Sequence, residues 1–146
     1  LTIVKVNNEL ERIADEAVGV AQRVPTLTDL NRPVPDRFRV MANSVIGILE
    51  ATNQCFEKID PSIAQSVLAS DDLVDRVEHQ ILLDMQRDVA GGAIPVDDAF
   101  AIGKIAAAFE RIDDHCTNIA EQTIYVATGK IVRHTQGQWT KPEQPA

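Results

Sequence analysis

Residues 102–127 read IGKIAAAFERIDDHCTNIAEQTIYVA, and one apolar stripe runs the length of the segment: Ile102, Ile105, Phe109, Ile112, Cys116, Ile119, Thr123 and Val126 or Ala127. Steps of three and four residues sustained over so many turns are the period of a long amphipathic helix with one buried face. Pro95 followed by Asp97 and Asp98 supplies its start, where acids complement the helix dipole. Gly129 supplies its stop, with Lys130 to His134 available for one more turn.

Working outward, the same period recurs three times. Ala90-Gly91-Gly92 ends a preceding helix that begins at Asp60-Pro61, with Asp60 as cap and Pro61 at the first helical position; its stripe is Ile63, Val67, Val74, Val77, Ile81 and Met85. Before it, Asp36 to Ile59 carries Phe38, Met41, Val45, Ile48, Thr52, Cys55 and Ile59 on one face, with Asp36 as N-cap. Between Thr2 and Val24 the positions are Ile3, Val6, Leu10, Ile13, Ala17, Val20 and Val24, and the breakers Pro25, Asp29, Asn31, Pro33 and Pro35 mark a linker. Thr135 to Ala146, with Gly137, Pro142 and Pro145, reads as a disordered tail with Trp139 as its one anchor. Nothing reads as a strand. The fold class is all-α: an antiparallel four-helix bundle in up-down-up-down order.

Composition agrees. The 146 residues are 45% hydrophobic but only 4% aromatic, a balance that suits interlocking helices. A net charge of -8 argues against a nucleic-acid backbone as partner, since that binding draws on clustered Lys and Arg. Cys55 and Cys116 stand far apart inside apolar patterns, without zinc or disulfide spacing, and are expected to be buried free thiols in a reducing cytosol. There is neither a membrane-spanning apolar run nor a signal-peptide pattern, so a cytoplasmic protein is expected. Because the sequence opens at Leu1 in mid-pattern, it is also expected to be a piece of a longer chain.

The sharpest feature is internal repetition. Leu10-Glu11-Arg12-Ile13-Ala14-Asp15 matches Phe109-Glu110-Arg111-Ile112-Asp113-Asp114 at an offset of 99 residues (10 to 109), and Ile3, Lys5 and Ala21 match Ile102, Lys104 and Ala120. That offset suits two successive three-helix units. Residues 1–31 are then the last helix of a first repeat with its linker, 36–134 a complete three-helix repeat, and 135–146 the tail. With Phe109 at zero on a helical wheel, Glu110, Asp114 and Glu121 fall at about 100°, 140° and 120°, a carboxylate line beside the core stripe. Glu11 and Asp15 take the same angles relative to Leu10. Carboxylates at i and i+4 repel unless something positive sits between them. Arg12 and Arg111 supply that charge, the face is simply hydrated, or a hard or borderline cation such as iron, manganese or zinc binds. Asp71, Asp72, Asp75 and Glu78 of the third helix either complete such a site with Glu110 and Asp114 or form a wet surface. His115 lies at about 240°, away from the line.

The run from Phe109 through Glu121, followed by Ile124-Tyr125 and Thr128-Gly129-Lys130, resembles the carboxy-terminal signature of the PhoU family, whose repeat is a three-helix bundle with Glu-Arg-Ile-x-Asp on its last helix. Asp72 and Asp75 sit in a pattern similar to that family's middle helix. The likeness spans residues 2–134; the first copy is looser, with Gly19 where Asn118 stands. The resemblance implies a cytoplasmic regulator of the phosphate-starvation response, without catalysis, acting between a phosphate ABC transporter, through its ATPase subunit, and a sensor histidine kinase. It thus implies a protein peripheral to the membrane through its partners. It also implies multinuclear iron or zinc on the acidic motifs, carried best by Glu110 and Asp114, then Glu11 and Asp15; Asp72 and Asp75, from the family-like pattern, and Glu78, from its spacing, are further expected ligands. An uncovered first helix points to a homodimer. Two other classes compete. A ferritin-type carboxylate-bridged metalloprotein needs Glu-x-x-His on paired helices, and no Glu here has His three positions on. A purely structural bundle leaves the repeated motif without a role.

Overall fold

The computed structural model describes residues 2–28, 35–135 and 138–139. Four helices make up almost all of it: α1 (Thr2–Thr28), α2 (Asp36–Lys58), α3 (Pro61–Ala90) and α4 (Val96–Thr128). Their ends follow the local chemistry. Asp60 accepts from the amides of Ser62 at 2.8 Å and Ile63 at 3.3 Å, capping α3 while Pro61 gives up no needed donor. Gly129 closes α4 in the left-handed region at φ 70°, where a Cβ would be strained. The start of α2 differs from expectation: Pro35 takes the N-cap position and Asp36 lies in the first turn, where its charge complements the dipole. Pro25 does not break α1, which continues to Thr28; a proline within the last turn removes one bond near an end that frays anyway.

No strand was expected, but His134–Thr135 pairs antiparallel with Gln138–Trp139, so the predicted tail begins with a two-rung ladder. The linker residues 29–34, residues 136–137 and 140–146 of the tail, and the Trp139 side chain expected to act as an anchor lie outside what is described.

Helix α4 is the centre. It packs against α3, α2 and α1, while α2 and α3 also pack on each other, so α2–α3–α4 form a three-helix unit and α1 lies along another side of α4. Met41, Val67, Leu68, Val74, Ile81, Ile102, Ile105 and Ile119 are almost fully removed from water at the heart of this unit.

The buried face of α1 is not the expected one. Val6 and Ile13 are buried, but Leu10 is 40% exposed, Ile3 78% and Val24 46%, and Ala17 is exposed too. The face turned to α4 is polar at its margin. Arg111 donates to Glu16 through Nε and Nη2 at 2.7 and 2.9 Å, His115 Nδ1 lies 2.7 Å from Glu9, and Asn118 donates to the same Glu9 carboxylate at 3.1 Å. These contacts fix α1 antiparallel to α4, and between them the buried Ile13 runs alongside the buried Ile112, its own counterpart in the repeat. Glu9 and Glu16 rotate α1 so that only half of its apolar stripe meets α4. In the 146-residue chain, Ile13→Ala is therefore expected to cost about 2–4 kcal/mol, and Leu10→Ala less than about 1 kcal/mol. Urea unfolding of the two variants checks the rotation, which equal losses would contradict.

Candidate functional site

The acids of α3 and α4 meet along the seam between those helices. On α3, Asp71 follows Val67 by four residues and precedes Val74 by three, which places it on the buried face; it is 4% exposed. Asp75 and Glu78 continue the line around the helix toward solvent. On α4, Asp113 falls at about 40° on the wheel centred on Phe109, inside the core stripe rather than beside it, and is 1% exposed. Glu110 is half-buried next to it, and Asp114 stands exposed.

Electrostatics ties these groups into one cluster. Burial pushes the Asp113 carboxyl up to about 8, assisted by the charges of Asp71, Asp114, Asp75 and Glu110 in that order. Burial also pushes Glu110 up to about 7, followed by the charges of Asp114, Glu78 and Asp75 and by a hydrogen bond to Asp114 that only protonated Glu110 can donate. Glu78 is raised by burial and by Asp75, with His79 acting against the rise. Near neutral pH the cluster thus holds protons that isolated carboxylates would have lost, and it presents oxygen donors only.

Arg111 is turned mostly away from this cluster, and the charge of Glu110 is only the smallest of the causes that raise its pKa. Its guanidinium is engaged by Glu16 of α1, and that hydrogen bond is the main reason its own pKa rises. His115 is turned the same way, onto Glu9, as its wheel angle requires. Of the expected ligands, the seam brings together Glu110, Asp114, Asp75 and Glu78. It does not include Asp72, which is exposed and is not among the charges acting on Glu110 or Asp113. Glu11 and Asp15 are exposed on α1, on the side turned away from its buried residues Val6 and Ile13. Asp113 was absent from the expected ligands, and Asp71 was placed with Asp72, Asp75 and Glu78 as either part of a site or a wet surface, with no expectation that it is buried. The signal for both was present: each carries a carboxylate where the apolar stripe demands a hydrophobe.

Neither Asp113 oxygen has a hydrogen-bond partner. Such a group normally acquires one, from protein, water or an ion. An orphaned buried carboxylate within an all-oxygen donor set fits a hard or borderline cation. As the side chains stand, no three of the described His, Cys, Asp and Glu residues close around a common point.

Other features offer less chemistry. Cys55 and Cys116 are free and buried, and burial pushes the Cys116 thiol up to about 12, so both are unreactive core residues. A groove of about 240 Å³ lies between the start of α2 and the end of α3. There Arg37 and Arg87 both pair with Asp84, at 3.5 and 3.4 Å. Among the described residues, no helix is long and apolar enough to cross a membrane.

The sequence profile of the PhoU domain matches residues 38–123, from the start of the α2 core to the last turns of α4. The chain belongs to the PhoU family. Three curated relatives are named phosphate-specific transport system accessory protein PhoU homologs. That of Thermotoga maritima (homolog 1) is 28% identical over 91% of this chain and 58% of its own length. That of Zymomonas mobilis is 33% identical over 94% and 59%. That of Aquifex aeolicus is 32% identical over 90% and 60%. The crystal structure of the phosphate transport system regulatory protein PhoU from Streptococcus pneumoniae superposes with a TM-score of 0.83 at 22% identity, covering 91% of this chain and 63% of that one. The PhoU fold is thus common to both, and the chain spans about three fifths of the length of these relatives. The acidic seam lies wholly inside the matched PhoU domain.

Proposed function

We propose that this chain is a regulatory adaptor of a phosphate-specific transport system. It links the ATPase subunit of a phosphate ABC transporter to a sensor histidine kinase and performs no catalysis of its own. The observation that supports this reading best is the match of the PhoU domain to residues 38–123, in a chain whose relatives are named as accessory proteins of such a system. The exposed helix faces and the net charge of -8 suit basic protein surfaces in the cytoplasm, where both partners present soluble domains. In this reading α1 is the closing helix of a first repeat, and residues 36–134 are a complete second one. The exposed α1 face bearing Ile3, Leu10 and Val24 is then the one that two helices equivalent to α2 and α3, or a second copy in a homodimer, would cover.

The α3–α4 seam is the metal site of this adaptor. Glu110, Asp114, Asp75 and Glu78 are the residues that would hold an iron or zinc centre there, and the chemistry it would supply is Lewis acidity toward an oxyanion. The residues' own part is to supply charge and oxygen donors on two rigid helices while the core below excludes water. Mixing the purified chain with the transporter's ATPase subunit and resolving the mixture by size exclusion tests the adaptor role. A co-eluting complex at micromolar concentrations is the expected result. Independent elution at tens of micromolar would overturn it.

A further inference from the structure

Helices α2 and α4 run parallel: Phe38 meets Phe109 with ring centroids 5.6 Å apart, and further along both helices Cys55 Sγ donates to Thr123 Oγ1 at 3.7 Å. Both therefore end at one pole of the bundle, beside the two-residue turn that leads into α3. The two exits share a pattern. Lys58-Ile59 closes α2, and Lys130-Ile131 follows the Gly129 cap of α4, with Arg133 just beyond. Ile59 is 39% exposed and Ile131 60%, and the three cations are exposed beside them. Basic side chains at a helix C-terminus complement its dipole, which accounts for the lysines but not for the isoleucines. Ile59 is the harder to explain. It caps α2 at φ 50° and ψ 45°, the left-handed region where α4 places Gly129 and where a β-branched residue is strained. A strained position that carries an exposed apolar side chain points to a use for that side chain outside the fold.

This pole is also the basic one. Residues 57–60 and 129–133 set Lys58, Lys130 and Arg133 against Glu57 and Asp60, and Asp60 is turned onto the amides of α3. At the opposite pole, residues 35–39 and 84–98 set three arginines against five aspartates, in a chain whose net charge is -8.

We propose that this pole docks directly on an anionic lipid bilayer, with Ile59 and Ile131 entering the headgroup region and Lys58, Lys130 and Arg133 on lipid phosphates. Tyr125, 45% exposed within one turn of the end of α4, sits at the same level as an interfacial anchor. An apolar tip ringed by cations is suited to that boundary, where chain and charge each add a part of the attraction. A protein helix or strand needs a groove or a long open edge. Among the described residues this pole offers a two-residue turn and a two-rung ladder instead. The acidic remainder of the chain is repelled by anionic lipid, so charge polarity also fixes which end faces the surface. The inference stands apart from both the adaptor role and the metal reading of the seam.

The test is co-sedimentation of the 146-residue chain with vesicles containing phosphatidylglycerol, beside vesicles of phosphatidylcholine alone, at low and high salt. The wild type is expected to sediment with the anionic vesicles and to be released by salt. Lys58→Gln and Lys130→Gln are each expected to weaken partitioning about fivefold. Ile59→Gly separates docking from folding: it relieves the left-handed strain, so its urea midpoint is expected to rise while its partitioning falls about tenfold. Arg37→Gln at the opposite pole is expected to partition as the wild type does. A wild type that stays in the supernatant with both vesicles would overturn the proposal, as would binding that Ile59→Gly and both lysine variants leave unchanged. If the variants lose co-elution with the transporter's ATPase subunit and keep vesicle binding, the pole belongs to a protein partner and the bilayer reading is overturned.

Discussion

Replacing Asp113 by Asn is expected to stabilise the metal-free chain by about 2–4 kcal/mol at pH 8 but only about 1 kcal/mol at pH 5. Asn keeps the shape of the protonated acid and cannot ionise. In the wild type, the Asp113 carboxyl lies at about 8 in the folded state against 3.8 for an unperturbed Asp. Between those two values the folded chain holds a proton that the unfolded chain has released. The unfolded state therefore binds fewer protons, and the stability of the wild type falls as pH rises through this window. Glu110, raised to about 7, acts in the same direction. The variant loses the Asp113 part of that slope. Urea unfolding in EDTA at pH 5, 6.5 and 8 measures it, and a difference between variant and wild type that stays flat with pH would show that Asp113 is not held protonated.

The largest loss from a single truncation is expected at Ile105. It is fully buried about a third of the way along α4, the helix that all three others contact. Ile105→Ala removes apolar surface and leaves a cavity in a packed core that relaxes only in part, for a cost of about 2–5 kcal/mol. The same truncation at an exposed apolar position such as Ile46 on α2, 55% exposed, is expected to change stability by less than about 0.5 kcal/mol. Denaturant midpoints for the pair provide the check. A loss below about 1 kcal/mol at Ile105 would deny α4 its central place.

The four helices, and the ends at Asp60-Pro61, Gly91-Gly92 and Gly129, were legible because local chemistry specifies them, whereas Pro25 and Asp36 did not mark the end of α1 and the cap of α2. The rotation of α1 was not. Its apolar stripe, from Ile3 to Val24, is wider than one partner helix can cover, and periodicity reveals what is apolar without revealing which half is occupied. Glu9 and Glu16 decide that question only through His115, Asn118 and Arg111, residues about 100 positions away whose proximity no local pattern encodes. The His134–Thr135 ladder was invisible because two residues are too few to show alternation. The acidic seam was legible in part. Glu110 and Asp114 announce themselves as a motif, whereas Asp113 reads as one more acid beside them until its wheel angle is taken seriously.

The meeting of Ile13 with Ile112 gives the α1–α4 contact a further meaning. Two equivalent residues side by side on antiparallel helices mark a local dyad, and a dyad-related contact is one that a single sequence can make with itself. A lone unit could have closed this seam by pairing with a twin. Tethering the two halves in one polypeptide removes the requirement that they stay identical. Glu16 on one side then faces Arg111 on the other, while His115 takes the position that corresponds to Glu16 and turns to Glu9. Heterogeneity of that kind lets the two sides of the contact carry different polar partners while the apolar packing between them is kept.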